Sequence, residues 1–214
     1  MSGASTPITQ PYPVKAGMEA ADAKDDLRRA IRAQRSNRSA RMRAEAAEAF
    51  AQVIDSIPEV RDALCVATYA ARSAEPGTGP LMERLATRGV RVLLPVLGTG
   101  LARDWADYTG PEDLRERAPG RPPEPGGPTL GTDAIKLADV VVAPALAVDS
   151  RGVRLGQGGG WYDRVLTGLR PGARIIAVVF PEEVYDAVTR PLPVQPHDVL
   201  VDGVATTLDW RRLP

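Results

Sequence analysis

The apolar positions of the chain fall into short continuous runs that alternate with stretches of helical periodicity. The continuous runs predict buried strands at 64–69, 90–96, 140–148 and 174–180, followed by short strands near Val199 and Val204. Apolar residues at helical spacing predict helices at 21–35, 39–54, 80–88 and 161–169. Strands that are apolar throughout and separated by helices are typical of a sheet buried on both faces. We therefore predict a three-layer α/β domain, in which helices cover both faces of a mostly parallel sheet.

Two segments do not follow this alternation. Residues 1–20 are polar and carry prolines at 7, 11 and 13, which predicts a disordered tail and leaves a single domain at 21–214. Residues 109–128 are rich in proline and glycine, which predicts a long surface excursion or a lid.

A glycine-rich loop lies between the predicted strand 140–148 and the predicted helix 161–169. It reads Arg-Leu-Gly-Gln-Gly-Gly-Gly-Trp-Tyr-Asp-Arg over 154–164, with glycines at 156, 158, 159 and 160. A strand, a glycine loop and a helix in this order can build a cradle for an anion, because glycine allows close approach of the backbone and the opening amides of the helix point at the ligand. Arg154 adds a positive charge, and Asp163 adds a carboxylate that can hold a metal ion. The loop therefore predicts a phosphate site with a divalent cation.

Other interpretations of the loop have to be compared with this one. A glycine cluster can be a plain flexible turn. A Walker loop ends in Gly-Lys-Ser or Gly-Lys-Thr, whereas this loop ends in Gly-Trp-Tyr. The dinucleotide fingerprint needs glycine where Trp161 stands, yet Glu182 and Glu183 follow the next strand at a distance suited to a ribose contact. A dinucleotide-binding oxidoreductase therefore stays open as an alternative.

The carboxyl ends of parallel strands meet at one edge of a sheet, where ligands bind. The loops after Tyr69, Val96, Val148 and Phe180 would share that edge. We expect Glu75 to meet the glycine loop there. Asp149 begins the loop before Arg154 and either faces the same opening or caps a turn.

The charge balance argues against a polyanionic partner. The chain has 27 basic and 27 acidic residues, so no overall field favours nucleic acid or a membrane. Arginines are nevertheless dense at 28, 29, 32, 35, 38, 41 and 43, and a nucleic-acid-binding module is a second alternative, although this stretch lacks interleaved aromatic residues. The single cysteine, Cys65, suits a reducing compartment, and we expect a cytoplasmic protein without a membrane span.

Residues 154–164 resemble the pattern Arg-Leu-Gly-x-Gly-Gly-Gly-Tyr-Tyr-Asp-Arg of 5-formyltetrahydrofolate cyclo-ligases, also called methenyltetrahydrofolate synthetases, with Trp161 in place of the first tyrosine. Other segments are similar to the family in the same order: Lys24 to Arg28, Glu75 to Thr78, Leu94-Pro95, Leu192-Pro193, His197-Asp198 and Thr206-Thr207. The resemblance covers about 24–207. One departure is the absence of glutamine from Pro181 to Val184, where the family often has one.

The resemblance implies an ATP-dependent ring closure of 5-formyltetrahydrofolate to 5,10-methenyltetrahydrofolate, through a phosphorylated formyl group, by a monomer that binds no nucleic acid. It implies Lys24 and Arg154 as catalytic residues and Asp163 and Asp198 as ligands of Mg²⁺. The implied ATP-binding residues are Lys24, Arg28, Arg154, Leu155, Gly156, Gln157, Gly158, Gly159, Gly160, Trp161 and Tyr162. The implied substrate-binding residues are Arg28, Glu75, Gln157, Gly158 and Trp161, with Glu75 accepting from N–H groups of the pterin ring.

Overall fold

The computed structural model describes residues 12–97 and 103–214. Within these ranges the helices are α1 (Ala20–Ser36), α2 (Ala40–Asp55), α3 (Pro58–Arg61), α4 (Gly79–Thr87) and α5 (Trp161–Leu166). The strands are β1 (Cys65–Ala67), β2 (Arg91–Val96), β3 (Asp104–Asp107), β4 (Val140–Pro144), β5 (Ala147–Asp149), β6 (Arg154–Leu155), β7 (Arg174–Val178), β8 (Val184–Tyr185), β9 (Gly203–Ala205) and β10 (Trp210–Arg212).

Seven strands form the main sheet in the order β10-β9-β7-β4-β1-β2-β3. The five inner strands run parallel, and the two edge strands, β10 and β3, pair antiparallel with their neighbours. The predicted α/β class with a mostly parallel sheet is confirmed.

The apolar runs of the inner strands are continuous because both faces of the sheet are buried. Along β4, Val140 and Val142 pack with a cluster that contains α2, α3 and α4 side chains, whereas Val141 and Ala143 pack with a cluster that contains side chains of α5. Successive side chains of a strand point to opposite faces, so one run supplies two layers of the core.

The predicted strand 140–148 is in fact two strands in two different sheets. The chain leaves the main sheet after Pro144 and enters a small sheet of order β6-β5-β8. A third apolar cluster lies here, in which Leu27 and Ile31 of α1 pack against residues of this sheet. Helix α1, which carries Lys24 and Arg28, is therefore held against the strands that lead into the glycine loop.

Several short elements differ from the sequence-based expectation. The strand expected near Val199 is absent from this described part of the chain, whereas the one near Val204 is confirmed as β9. The periodicity did not indicate α3, β3 or β10. These are short elements, and β3 and β10 each have one strand neighbour, so neither needs the long apolar run that marks an inner strand.

Part of the predicted N-terminal tail packs on the domain. Tyr12 and Val14 contact the third apolar cluster, and the Tyr12 ring lies 5.8 Å from that of Tyr185. Residues 1–11 lie outside the described ranges. The predicted excursion at 109–128 has little regular structure, and it is tied down where Glu124, which is buried, accepts from the amide of Leu97 at 3.0 Å. No helix in the described ranges is long and apolar enough to cross a membrane.

Candidate active site

A cavity of about 350 Å³ opens at the carboxyl ends of β1, β2 and β4. Its wall is formed by α1, the loop after β1, the glycine loop, the segment around 195–198 and two prolines of the excursion. The wall includes the following predicted site residues: Lys24, Arg28, Glu75, Arg154, Gly156, Gln157, Gly158, Gly159, Gly160, Trp161, Tyr162, Asp163 and Asp198. Its volume is in the range typical of small-molecule sites.

Leu155 is the one predicted site residue that does not line this cavity. Its side chain is buried in the third apolar cluster together with Ile31. Alternation along β6 explains this position, because Arg154 and Leu155 are adjacent in an extended strand and point to opposite sides.

Two glycines of the loop have backbone conformations that favour glycine. Gly158 has φ of 103°, and Gly160, directly before α5, has φ of 61°. Helix α5 is only six residues long and ends at Leu166, three residues before the predicted end. A helix this short contributes a small dipole, so attraction for an anion has to come mainly from the basic side chains around the loop.

Arg154 forms a buried ion pair at the entrance of the loop. Its side chain is 2% exposed, and Nη2 donates to Oδ1 of Asp163 at 2.6 Å. Nη1 donates weakly to the carbonyl of Pro144 at 3.4 Å, and Nε is buried without a partner among the described residues. A buried guanidinium with an unused donor beside a cavity is suited to binding a further anionic group.

Lys24 forms a second buried ion pair in the cavity wall, between α1 and the segment 195–198. Its Nζ lies 2.5 Å from Oδ2 of Asp198 and also donates to Oε1 of Gln195 at 3.1 Å. The side chains of Lys24 and Asp198 are 4% and 7% exposed. His197, in contrast, is mostly exposed and its Nε2 is 3.9 Å from Asp198, too far for a hydrogen bond.

The two aspartates predicted to bind metal come from distant segments and line the same cavity. The amide of Val199, next to Asp198, donates to Oδ1 of Asp163 at 3.4 Å. Oδ2 of Asp163 and Oδ1 of Asp198 accept no hydrogen bond from the described residues. Mg²⁺ prefers oxygen ligands and is commonly held by one or two carboxylates with phosphate oxygens, so this donor set fits it. No group of three or more potential ligand side chains occurs in the described ranges, so phosphate oxygens or water would complete the coordination.

Glu75 and the glycine loop meet, as predicted from the sheet. Nε2 of Gln157 donates to Oε1 of Glu75 at 3.0 Å. On the other side of the loop, Nε of Arg28 donates to the carbonyl of Gly156 at 3.0 Å. The loop is thus held between α1 and the loop that follows β1.

Trp161 and Tyr162 lie between the cavity and the core. The ring of Trp161 is 5.3 Å from that of Trp105 and 5.0 Å from that of Tyr162, and both side chains pack against the cluster beneath α5. The Tyr162 hydroxyl is buried without a partner among the described residues, and burial, followed by the nearby Glu75, raises the pKa of this phenol. It stays protonated at physiological pH and can act as a hydrogen-bond donor.

The acidic residues that supported the dinucleotide alternative serve other roles. Glu183 forms a buried ion pair with Arg35 at 2.6 Å, and Glu182 pairs with Arg38. Neither glutamate lines the cavity. Asp149 is also turned away from it, because this buried carboxylate accepts from the amides of Val153 and Leu192 and anchors the turn before β6.

The sequence did not indicate every residue of the wall. Tyr69, Gln195 and Arg72 line the cavity as well. Tyr69 and Arg72 follow β1, so the rule that ligands bind at strand ends could have indicated them. Gln195 could be found only once Lys24 had been placed beside it.

The comparison with known families decides the classification. A model of the 5-formyltetrahydrofolate cyclo-ligase family matches residues 20–207. The chain belongs to the 5-formyltetrahydrofolate cyclo-ligase family. This confirms the resemblance, and the chain is accordingly an enzyme of the cyclo-ligase class.

Individual members of the cyclo-ligase family support this placement. The 5-formyltetrahydrofolate cyclo-ligase of Mycolicibacterium smegmatis is 39% identical over 146 residues, which are 66% of this chain and 72% of that protein. The protein of the same name from Escherichia coli K12 is 35% identical over 111 residues, 51% of this chain and 60% of that one. The solved structure of 5,10-methenyltetrahydrofolate synthetase from Aquifex aeolicus matches with a TM-score of 0.73 at 27% identity, covering 89% of this chain and 92% of that one.

Proposed function

We propose that this cyclo-ligase converts 5-formyltetrahydrofolate to 5,10-methenyltetrahydrofolate, with conversion of ATP to ADP and phosphate. Family membership carries the proposal. The cavity supports it, because two buried basic side chains, Asp163, Asp198 and the glycine loop line one space.

The chemistry explains why ATP is needed. A formamide oxygen is a poor leaving group, and transfer of the γ-phosphoryl group to it, with release of ADP, gives an iminophosphate. N10 then attacks the formyl carbon, the carbon–oxygen bond breaks, and phosphate leaves with the former formyl oxygen. Phosphoryl transfer needs positioning and neutralisation of charge more than a protein nucleophile. This agrees with a wall of cations, amides and carboxylates.

The two buried ion pairs support the following roles for their side chains. Lys24 and Arg154 are the buried cations of the wall and would contact the phosphates of the nucleotide. Asp163 and Asp198 would hold Mg²⁺, which neutralises charge on the phosphates when it is bound. The two cations and two carboxylates balance, so the four charged side chains stabilise one another when the nucleotide is absent.

The folate would occupy the part of the cavity between Glu75 and the aromatic side chains. Glu75 offers a carboxylate to N–H groups of the pterin ring, and Trp161 offers a flat surface to its rings. Arg28, Gln157 and Gly158 complete this part of the wall. We further propose that the enzyme acts as a monomer.

The proposed reaction can be tested directly by spectroscopy. Purified protein with 5-formyltetrahydrofolate, ATP and Mg²⁺ should produce the absorbance of the methenyl product, and omission of either ATP or the metal should abolish it. Folded protein that forms no methenyl product would contradict the proposed function. Tight binding of NADH by the same protein would favour the oxidoreductase alternative instead.

A further inference from the structure

A chain of hydrogen bonds extends from helix α1 across the glycine loop to Glu75. Nη2 of Arg32 donates to the backbone carbonyl of Gln157 at 2.7 Å and to its side-chain Oε1 at 3.1 Å. Nε2 of Gln157 then donates to Oε1 of Glu75 at 3.0 Å. Arg72 donates to the same Glu75 oxygen at 2.8 Å, and its amide donates to Oε2 at 2.9 Å.

The donors and acceptors of this chain allow only one orientation of the Gln157 amide. A guanidinium can only donate hydrogen bonds and an ionised carboxylate can only accept them. Oε1 of Gln157 must therefore face Arg32, which turns the NH₂ group toward Glu75. Arg32 thus fixes which end of the amide reaches the carboxylate, although its own side chain does not contact Glu75.

The result is a carboxylate held from two sides with one acceptor position still available. The Glu75 side chain is only 8% exposed. The Glu75 carboxylate accepts three hydrogen bonds from the described residues, and two of them are accepted by Oε1. Among the described residues, Oε2 accepts a hydrogen bond only from the amide of Arg72, and it keeps a lone pair for a donor in the cavity. Restricting the rotamers of a binding group before the ligand arrives lowers the entropic cost of binding.

We propose that Arg32, acting through Gln157, is a positioning residue that orients the Glu75 carboxylate for the N–H donors of the folate. The proposal rests on the proposed function, because it takes the folate as the ligand of Glu75. It concerns binding of the folate alone, since the ion pairs at the phosphate part of the cavity involve Lys24 and Arg154.

The test replaces Arg32 by methionine, which removes its donors and keeps most of its length. Binding of 5-formyltetrahydrofolate is measured by calorimetry without ATP, and KM for ATP is measured in the turnover assay. Arg32→Met should raise Kd for the folate about tenfold, the effect of losing a hydrogen bond to a charged group, and leave KM for ATP unchanged. Arg29→Met is the matched control, because Arg29 lies on the same helix, its side chain is 73% exposed, and its ion pair within the described ranges is with the nearby Asp26.

A double-mutant cycle separates positioning from direct contact with the folate. Gln157→Leu interrupts the same chain of hydrogen bonds, so adding Arg32→Met to it should change Kd less than twofold further. Effects that multiply, a Kd unchanged by Arg32→Met, or a parallel rise in KM for ATP would each overturn the proposal. An unmodified protein that binds the folate but forms no methenyl product would contradict the proposed reaction alone, and the Kd values would still test the role of Arg32.

Discussion

Arg154 has a proposed role in phosphate binding and is also part of the packing. Its guanidinium is buried against Asp163, and one nitrogen has no partner in the described ranges. Replacing Arg154 by alanine should raise KM for ATP by about 10- to 100-fold, because charge-assisted hydrogen bonds of about 1.5–3 kcal/mol are lost. Steady-state kinetics with varied ATP measures this, and near-ultraviolet circular dichroism checks that the variant is folded. Unchanged kinetics with ATP would contradict a role in phosphate binding.

Burial of Cys65 has a measurable consequence for how the free energy of unfolding depends on pH. Burial is the main cause that raises the pKa of this thiol from 9.0 to about 11. Between these values the unfolded chain loses the thiol proton and the folded chain keeps it, so the free energy of unfolding falls as pH rises from about 9 to 11. The loss should approach about 2–3 kcal/mol, since one pKa unit corresponds to about 1.4 kcal/mol.

This contribution can be isolated with Cys65→Ala, which lacks the titrating group. Urea unfolding of both proteins at pH 8 and pH 11 should show a smaller decrease for the alanine variant. The native thiol should also react slowly with iodoacetamide at pH 8, because the thiolate is the reactive form. Fast labelling of folded protein would contradict the shift.

At the scale of elements, the glycine loop depends on backbone conformation at particular positions. Gly158 has φ of 103°, and a Cβ there would also lie 3.5 Å from the Arg28 guanidinium, whereas a Cβ at Gly159 would meet nothing within 4 Å. Gly158→Ala should therefore destabilise the loop by about 1–3 kcal/mol and lower kcat/KM for ATP, because a side chain at this φ is strained. Gly159→Ala is the matched control for stability and should leave the free energy of unfolding nearly unchanged, because a Cβ there meets no protein atom within 4 Å. Equal losses of stability in the two variants would mean that the backbone conformation at Gly158 is not important.

The strands show which parts of the fold can be predicted from the pattern of apolar residues. The inner strands β2 and β7 and the start of β4 were predicted closely because both of their faces are buried, which requires a continuous apolar run. The break between β4 and β5 was not predicted, because Ala145 and Leu146 are as apolar and as buried as the strands around them. Edge strands such as β10 carry exposed arginines and give no such signal.

The sequence predicted which residues form the site more fully than it predicted which of them contact one another. The glycine loop indicated phosphate chemistry from local spacing alone. The pairing of Lys24 with Asp198 depends on a turn near residue 198 where a strand was expected, and no local pattern indicates which carboxylate meets which cation. The third apolar cluster, which places α1 beside the loop, is likewise a product of long-range packing.

At the scale of the whole molecule, a Mg²⁺ site shared by Asp163 and Asp198 would require two distant segments of the chain to act together. Asp163→Asn should raise the Mg²⁺ concentration needed for half-maximal turnover at least severalfold, because it removes one of two charged ligands. Titration of activity with Mg²⁺ at saturating ATP measures the effect. Asp133→Asn is a suitable control, because Asp133 lies in a short 3-10 helix with 84% of its side chain exposed. A Mg²⁺ requirement equal to that of the unmodified protein would contradict the shared site.

The overall charge leads to a prediction about nucleic acid. Much of the arginine-rich stretch of α1 and α2 is paired with acidic side chains, as in the pairs that Arg35, Arg38 and Arg41 form. The net charge of the chain is zero. We expect no submicromolar binding of RNA or DNA at physiological salt, because binding to phosphate backbones needs several unpaired cations at once. Fluorescence anisotropy with labelled duplexes and single strands, at two salt concentrations, would detect the contrary result.

Lys24 and Asp198 are 174 positions apart in the chain, and Arg28 reaches a carbonyl 128 positions away. During synthesis on the ribosome, Lys24 and Arg35 of α1 emerge long before Asp198 and Glu183, the carboxylates with which they pair. The cavity thus assembles late in the synthesis of the protein, and a chain released before residue 198 lacks part of its wall. Translation products that end before Asp198 would therefore leave Lys24 without its carboxylate partner.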